Sequence, residues 1–164
     1  MSVEELKGFG GVWKRTSVDA NYDAFLQAQG QGWMMRKAAA VAPFTKTLSF
    51  KEPNNFDDHT SIAGLLNVHV SYVIHPNEEA ARAAREAGQV SVEEALGKRS
   101  ELVAWWDQSS QQMVLHRVFP TEGYQGFYRH SLRDSQTVIQ LDLEIRRLDG
   151  SSPPVPSREL FQKQ

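Results

Sequence analysis

Residues Gly10 to Pro43, GGVWKRTSVDANYDAFLQAQGQGWMMRKAAAVAP, carry the most specific pattern in this chain of 164 residues. A glycine, a tryptophan and a lysine open the stretch, and two short helices joined by Gly-Gln-Gly follow. In the first helix Tyr22, Phe25 and Leu26 recur at helical spacing. A helical hairpin of this kind cannot bury its apolar face by itself, so the rest of the chain must lie under it.

The second helix of the hairpin ends before a proline, which cannot continue it. Its helical intervals are occupied by Trp33, Met34, Lys37, Ala38 and Val41. These intervals predict a helix, and Met34 and Met35 are suited to a pliable apolar lining.

After the hairpin, polar and apolar residues alternate as they do in β-strands. The clearest case has Ile139, Leu141, Leu143 and Ile145 on one face of a strand and polar residues on the other. The predicted strands are 9–16, 45–51, 59–65, 67–75, 88–94, 100–107, 112–119, 126–133, 137–148 and 157–163. About ten short strands with regular turns predict an all-β, closed or nearly closed, up-and-down antiparallel barrel capped by the helical hairpin.

Two segments depart from simple alternation. The segment 77–87 is helical by propensity, with Asn77 as N-cap and Gly88 after its end, but its only apolar residues are alanines. It is predicted to be a solvated inserted helix, with a lid or a partner-docking helix as the alternative. Ser91 and Glu94 also form a capping box, so a helical turn competes with the strand at 88–94.

The composition predicts one globular domain over residues 1–164, with 40% hydrophobic and 23% charged residues. A net charge of −2 argues against a dedicated nucleic-acid-binding protein. The lack of cysteine excludes disulfides, thiolate metal sites and a cysteine nucleophile. The five histidines lack metal-ligand spacing and no Gly-x-Ser-x-Gly elbow is present, so no metal, cofactor or enzymatic activity is predicted.

The N-terminal residues MSVEELKGFGG lack the positive start and apolar run of a secretory signal. No stretch has the length needed to cross a bilayer. The sequence therefore predicts a cytoplasmic protein.

The hairpin stretch resembles the intracellular fatty-acid-binding protein family, which includes the retinoid-binding proteins. The matching residues are Gly11-Val12-Trp13-Lys14, Asn21-Tyr22-Asp23, Gly30-Gln31-Gly32-Trp33 and Arg36-Lys37, at unchanged spacing. The resemblance implies a barrel with Trp13 in the core at its closed end. It also implies an internal cavity that holds one small hydrophobic ligand, such as a fatty acid.

The family binds the ligand's carboxylate with an arginine in the second half of the barrel and an Arg-x-Tyr on the last strand. Position matching selects Arg129 for the first arginine, although a shift of one residue selects His130 instead. Arg158 matches the second arginine, but Leu160 stands where the family has tyrosine. Arg117 is the remaining mid-strand candidate.

The same matching assigns the cavity walls to the hairpin residues Tyr22, Leu26, Met35 and Ala39, with Pro43 near the mouth. Their alternative role is packing of the hairpin on the barrel. The resemblance further implies that Lys14, Arg36 and Lys37 make transient contact with a membrane surface, whereas a solvated face is the simpler interpretation.

The sequence therefore predicts a monomeric, non-enzymatic lipid carrier. The alternative hypothesis is a protein-interaction module that keeps the barrel and docks a partner on the 77–87 insertion.

Overall fold

The computed structural model describes residues 1–164 and contains four helices and ten strands. The helices are α1 (Val3–Lys7), α2 (Tyr22–Ala28), α3 (Trp33–Val41) and α4 (Glu78–Glu86). The strands are β1 (Gly11–Val18), β2 (Phe44–Lys51), β3 (Asn55–Ile62), β4 (Leu66–His75), β5 (Ser91–Ala95), β6 (Lys98–Asp107), β7 (Gln112–Phe119), β8 (Tyr124–Arg133), β9 (Val138–Arg147) and β10 (Val155–Lys163).

All ten strands form one sheet in the order β4-β3-β2-β1-β10-β9-β8-β7-β6-β5, and each strand is antiparallel to its neighbours in this order. The sheet closes where β4 pairs with β6 in parallel, joining Ile74 to Ala104 and His75 to Trp105. Nine strands thus form a closed barrel, with β5 as an extra strand beside the first half of β6. The predicted all-β barrel with a helical cap is confirmed.

The two ends of the barrel are covered by different helices. Helix α1 lies at the start of β1, and α2 and α3 follow the end of β1, so they occupy opposite ends. Near α1, Leu6, Phe9 and Trp13 are fully buried, and the Trp13 indole nitrogen donates to the Phe9 carbonyl at 2.8 Å. The predicted core position of Trp13 is therefore correct, and the cavity must lie toward the α2–α3 end.

Inward-facing residues follow the two-residue period of the strands. Ile139, Leu141, Leu143 and Ile145 are all buried in the main core, as their alternation predicted. The segment at Ser91 forms strand β5 and not the alternative helical turn.

Helix α4 packs on the outside of the barrel, which corrects the prediction of a solvated insertion. Ala81 and Ala84 are buried, and Ala81 belongs to a small cluster with Val103, Trp105 and Val114. The alanine side chains are short enough to let the helix backbone approach the sheet closely. The remaining face of α4 is charged and exposed, so the helix has one packed side and one solvated side.

None of the four helices combines the length and the apolar character needed to span a membrane.

Candidate ligand-binding cavity

The barrel encloses a cavity of about 590 Å³ between the α2–α3 hairpin and the filled closed end. Of its 32 lining residues 22 are hydrophobic, among them Phe25, Leu115, Leu143 and Phe161. This volume falls in the range of pockets that hold one small molecule, roughly 300–1,000 Å³. The interior is thus an apolar chamber with room for a ligand.

Helix α3 is the roof of this chamber and buries none of its residues. Met35, Ala38 and Ala39 line the cavity, while Trp33 and Val41 are 64% and 84% exposed. Of the two methionines predicted to line the cavity, Met35 does so, whereas Met34 is 79% exposed and does not. Because the inner side of α3 faces the cavity and not packed side chains, burial contributes little to holding this helix in place.

Arg15 on β1 anchors the hairpin to the barrel. Its guanidinium donates to the Glu159 carboxylate at 3.1 Å and to the Ala42 carbonyl at 3.0 Å, and it also donates to the Ala39 carbonyl. It lies 3.8 Å over the centre of the Phe44 ring, and its side chain is only 4% exposed. A cation at the C-terminal carbonyls of α3 also interacts favourably with the helix dipole. Arg15 thus joins α3, β1 and β10.

Two further ion pairs form what we call the polar layer of the cavity: Lys46 with Asp58, and Arg117 with Glu93. The Lys46 ammonium donates to both Asp58 oxygens at 3.0 and 2.9 Å. The Arg117 guanidinium donates to Glu93 and, at 3.0 Å, to the Ser100 hydroxyl. All four side chains of these pairs are at most 13% exposed.

Three uncharged polar groups, Tyr72, Tyr128 and His130, lie beside these pairs. Burial, with a smaller contribution from the nearby Lys46 charge, lowers the pKa of His130 to about 4. Burial also raises the pKa of Tyr128, so its hydroxyl stays protonated at neutral pH. The Tyr72 hydroxyl is buried and has no hydrogen-bond partner. The centre of the barrel therefore offers uncharged donors and acceptors among paired charges.

Arg129 and Arg158 do not reach the cavity, which corrects their predicted inward placement. Arg129 is 34% exposed and donates to Glu144 at 3.3 Å, and Arg158 is 53% exposed and donates to Asp142 at 2.6 Å. Their strand neighbours face inward instead, because successive side chains alternate between the two faces of a sheet. On β8 the inward neighbour is His130, the residue selected by a one-residue shift.

The other predicted site residues mostly line the cavity. These are Tyr22, Leu26, Met35, Ala39 and Arg117. Pro43 is exposed and does not line it, although its carbonyl accepts a hydrogen bond from Ala63 at 2.8 Å. The three predicted surface cations do not form one free cluster, since Arg36 is paired with Asp23 at 3.0 Å.

Most of the charged interior is not predicted from the sequence, namely Arg15, Lys46, Asp58, Glu93 and Glu159. Two of these carried a usable signal. Arg15 lies two residues after the buried Trp13, and Lys46 lies two residues before the buried Leu48, so strand alternation places both inside.

A closed antiparallel barrel with an apolar cavity under a helical hairpin is the architecture of the fatty-acid-binding and retinoid-binding proteins. The resemblance seen in the sequence is thus confirmed for the fold. No protein-family model and no curated protein sequence matches the chain.

Solved structures do match. Fatty-acid-binding protein 1 of Echinococcus granulosus shares 9% identity at a TM-score of 0.71, covering 96% of this chain and 98% of that one. The Schistosoma mansoni fatty acid binding protein, solved with arachidonic acid, shares 14% identity at a TM-score of 0.70 and covers 98% of both chains. Lipid binding protein 8 of Caenorhabditis elegans shares 17% identity at a TM-score of 0.69, with 97% of both chains covered.

Proposed function

We propose that the protein binds one small hydrophobic ligand, a fatty acid or a similar lipid, noncovalently inside the barrel. The observation that carries this proposal is the apolar cavity of about 590 Å³ beneath α3. The structural relatives named for fatty acids or lipids support it. The protein acts as a non-enzymatic, single-domain, monomeric carrier in the cytoplasm.

Ligand entry beside α3 fits the exposed apolar residues at this end of the barrel. Trp33, Met34, Val41 and Leu65 are all more than half exposed. Such a rim supports transient contact with a membrane surface while a lipid is handed over. The polar layer then receives the ligand's polar end, and the apolar walls receive its chain.

The alternative, a protein-docking role for α4, has less support. The only apolar side of α4 already packs on β6, and the exposed side carries the opposite charges of Glu78 and Arg82 in an ion pair of 2.9 Å. A solvated charged face is a poor docking surface.

The proposal is tested with the full chain, purified and extracted with organic solvent for mass spectrometry, then titrated with Nile red and with a fluorescent fatty acid. We expect retained lipid and saturable binding at one site. Absence of retained lipid together with absence of saturable binding of either probe would refute the proposal.

A matched pair of variants on β4 locates the site. Val68 lines the cavity, whereas Val73 on the same strand is 41% exposed on the outer face. Val68→Trp should weaken probe binding by about tenfold or more, equivalent to ~1.4 kcal/mol, because the indole occupies ligand volume. Val73→Trp should leave binding unchanged, and equal losses in both variants would place the ligand elsewhere.

A further inference from the structure

The deep interior of the barrel holds no free positive charge. Arg15, Lys46 and Arg117 are the buried cations, and each contacts its own carboxylate, from Glu159, Asp58 and Glu93 respectively. The three positive and three negative charges sum to zero. A bound carboxylate would therefore add a buried negative charge that nothing on these walls neutralises.

The hydrogen-bonding character of the polar layer matches an uncharged group instead. A carboxylate only accepts hydrogen bonds, so next to Asp58 and Glu93 it would meet two other acceptors. A hydroxyl group both donates and accepts, so it can donate to a carboxylate oxygen and accept from a tyrosine or guanidinium.

Tyr72 is an independent sign of an absent partner in this region. Its side chain is 3% exposed, and its hydroxyl makes no hydrogen bond. Burial keeps its pKa well above the usual value, and the Asp58 and Glu93 carboxylates act in the same direction. Buried hydroxyl groups are rarely left unpaired, and Tyr72 does not itself line the cavity, so this donor is available to a water that bridges to a ligand in the polar layer.

One lysine on the cavity wall has no carboxylate partner, but it lies at the rim. Lys98 is the first residue of β6, and its ammonium donates to the Gln29 carbonyl at 2.7 Å and to the Tyr124 hydroxyl at 3.3 Å. It therefore joins the barrel to the residue that ends α2. A carboxylate that used Lys98 would lie at the mouth and not in the polar layer.

We propose that the cavity prefers lipids whose polar end is an uncharged hydroxyl group over lipids of the same chain length that end in a carboxylate. This inference rests on the proposed function, because it specifies the ligand class of the same cavity.

The test is displacement of Nile red from the full chain by tetradecanol and by tetradecanoate at pH about 7.5, where a carboxylic acid is ionised. We expect the alcohol to bind about tenfold more tightly or better. Equal binding, or tighter binding of the acid, would overturn the preference while leaving the carrier function intact. If neither compound displaces the dye and the dye itself does not bind, the proposed function fails, and the preference fails with it.

A charge-freeing variant tests the cause of the preference. Glu93→Gln leaves the Arg117 charge without its partner, so the ratio of acid to alcohol affinity should rise by about tenfold or more. Glu144→Gln is the control, because it removes the carboxylate partner of Arg129 and Arg146 on the outside of the barrel. An unchanged ratio in folded Glu93→Gln would overturn the explanation.

Two further variants cover the remaining outcomes. If Glu93→Gln does not fold, Asp58→Asn frees Lys46 in the same layer and should shift the ratio in the same direction. Lys98→Met tests the rim. If the acid binds the wild type as tightly as the alcohol does, and if Lys98→Met abolishes binding of the acid, the head group lies at Lys98 and the proposal is overturned.

Discussion

The neutral, buried His130 should make the protein less stable in mild acid. Burial lowers its pKa from 6.5 to about 4, with Lys46 adding to the effect and Asp58 and the Met113 and Tyr128 backbones opposing it. As the pH falls below 6.5, His130 becomes protonated in the unfolded chain, whereas in the folded protein it becomes protonated only near pH 4. The free energy of unfolding therefore falls as the pH drops through this interval.

The size of the effect follows from the two pKa values. The two pKa values differ by about 2.5, and a difference of one in pKa corresponds to about 1.36 kcal/mol. The free energy of unfolding therefore falls by about 3 kcal/mol between pH 6.5 and about 4. His130→Gln keeps a polar side chain but cannot titrate. Its free energy of unfolding should fall by about 3 kcal/mol less than that of the wild type over the same interval.

Urea denaturation followed by tryptophan fluorescence, repeated at several pH values between about 6.5 and 4, measures both proteins. The difference between their unfolding free energies at each pH removes the contribution of the carboxylates, which titrate in both. His59→Gln, on an exposed residue of β3, is the control and should follow the wild type. Parallel curves for His130→Gln and the wild type would refute the argument.

Two more stability effects follow from the packing. Ala81→Leu should destabilise the protein by about 1–3 kcal/mol, because Ala81 has no exposed surface. Ala83→Leu, on the exposed side of α4, should change the stability little. Similar melting temperatures for the two variants would disprove close packing of α4. Arg15→Met should lower the free energy of unfolding by about 3–5 kcal/mol, because it leaves Glu159 buried and unpaired. The double variant with Glu159→Gln should recover part of this loss. Additive losses in thermal denaturation would show that the two residues are uncoupled.

The fold could be predicted because its signals are local. The spacing from Trp13 through the Gly-Gln-Gly turn, together with the alternation from Ile139 to Ile145, is visible within short windows of sequence. Each of these signals corresponds to one element whose periodicity is fixed by backbone geometry.

The site was harder to predict because it depends on strand phase. A shift of one residue moves a side chain to the opposite face of the sheet, and this separates the external Arg129 from the internal His130. Ion pairs are also non-local, since Arg15 and Glu159 are 144 residues apart. No pattern in either segment indicates the other.

The α4 helix shows a different limit. A face of alanines offers too little apolar area to predict packing, but the small side chains allow Ala81 and Ala84 to lie against the barrel. Composition gives the hydrophobic area of a face and does not show how closely another surface approaches it.

The pairing of β1 with β10 also constrains when the cavity can come into existence during synthesis. Strand β1 pairs with β10 through residues such as Trp13 with Lys163, and the Glu159 carboxylate that pairs with Arg15 lies on β10. While the ribosome is still making β10, β1 and β9 have open edges and the roof lacks its anchor. Contacts of such long sequence separation form late and slow folding. The cavity is therefore expected to form late in folding, once β10 has paired with β1 and Glu159 has reached Arg15.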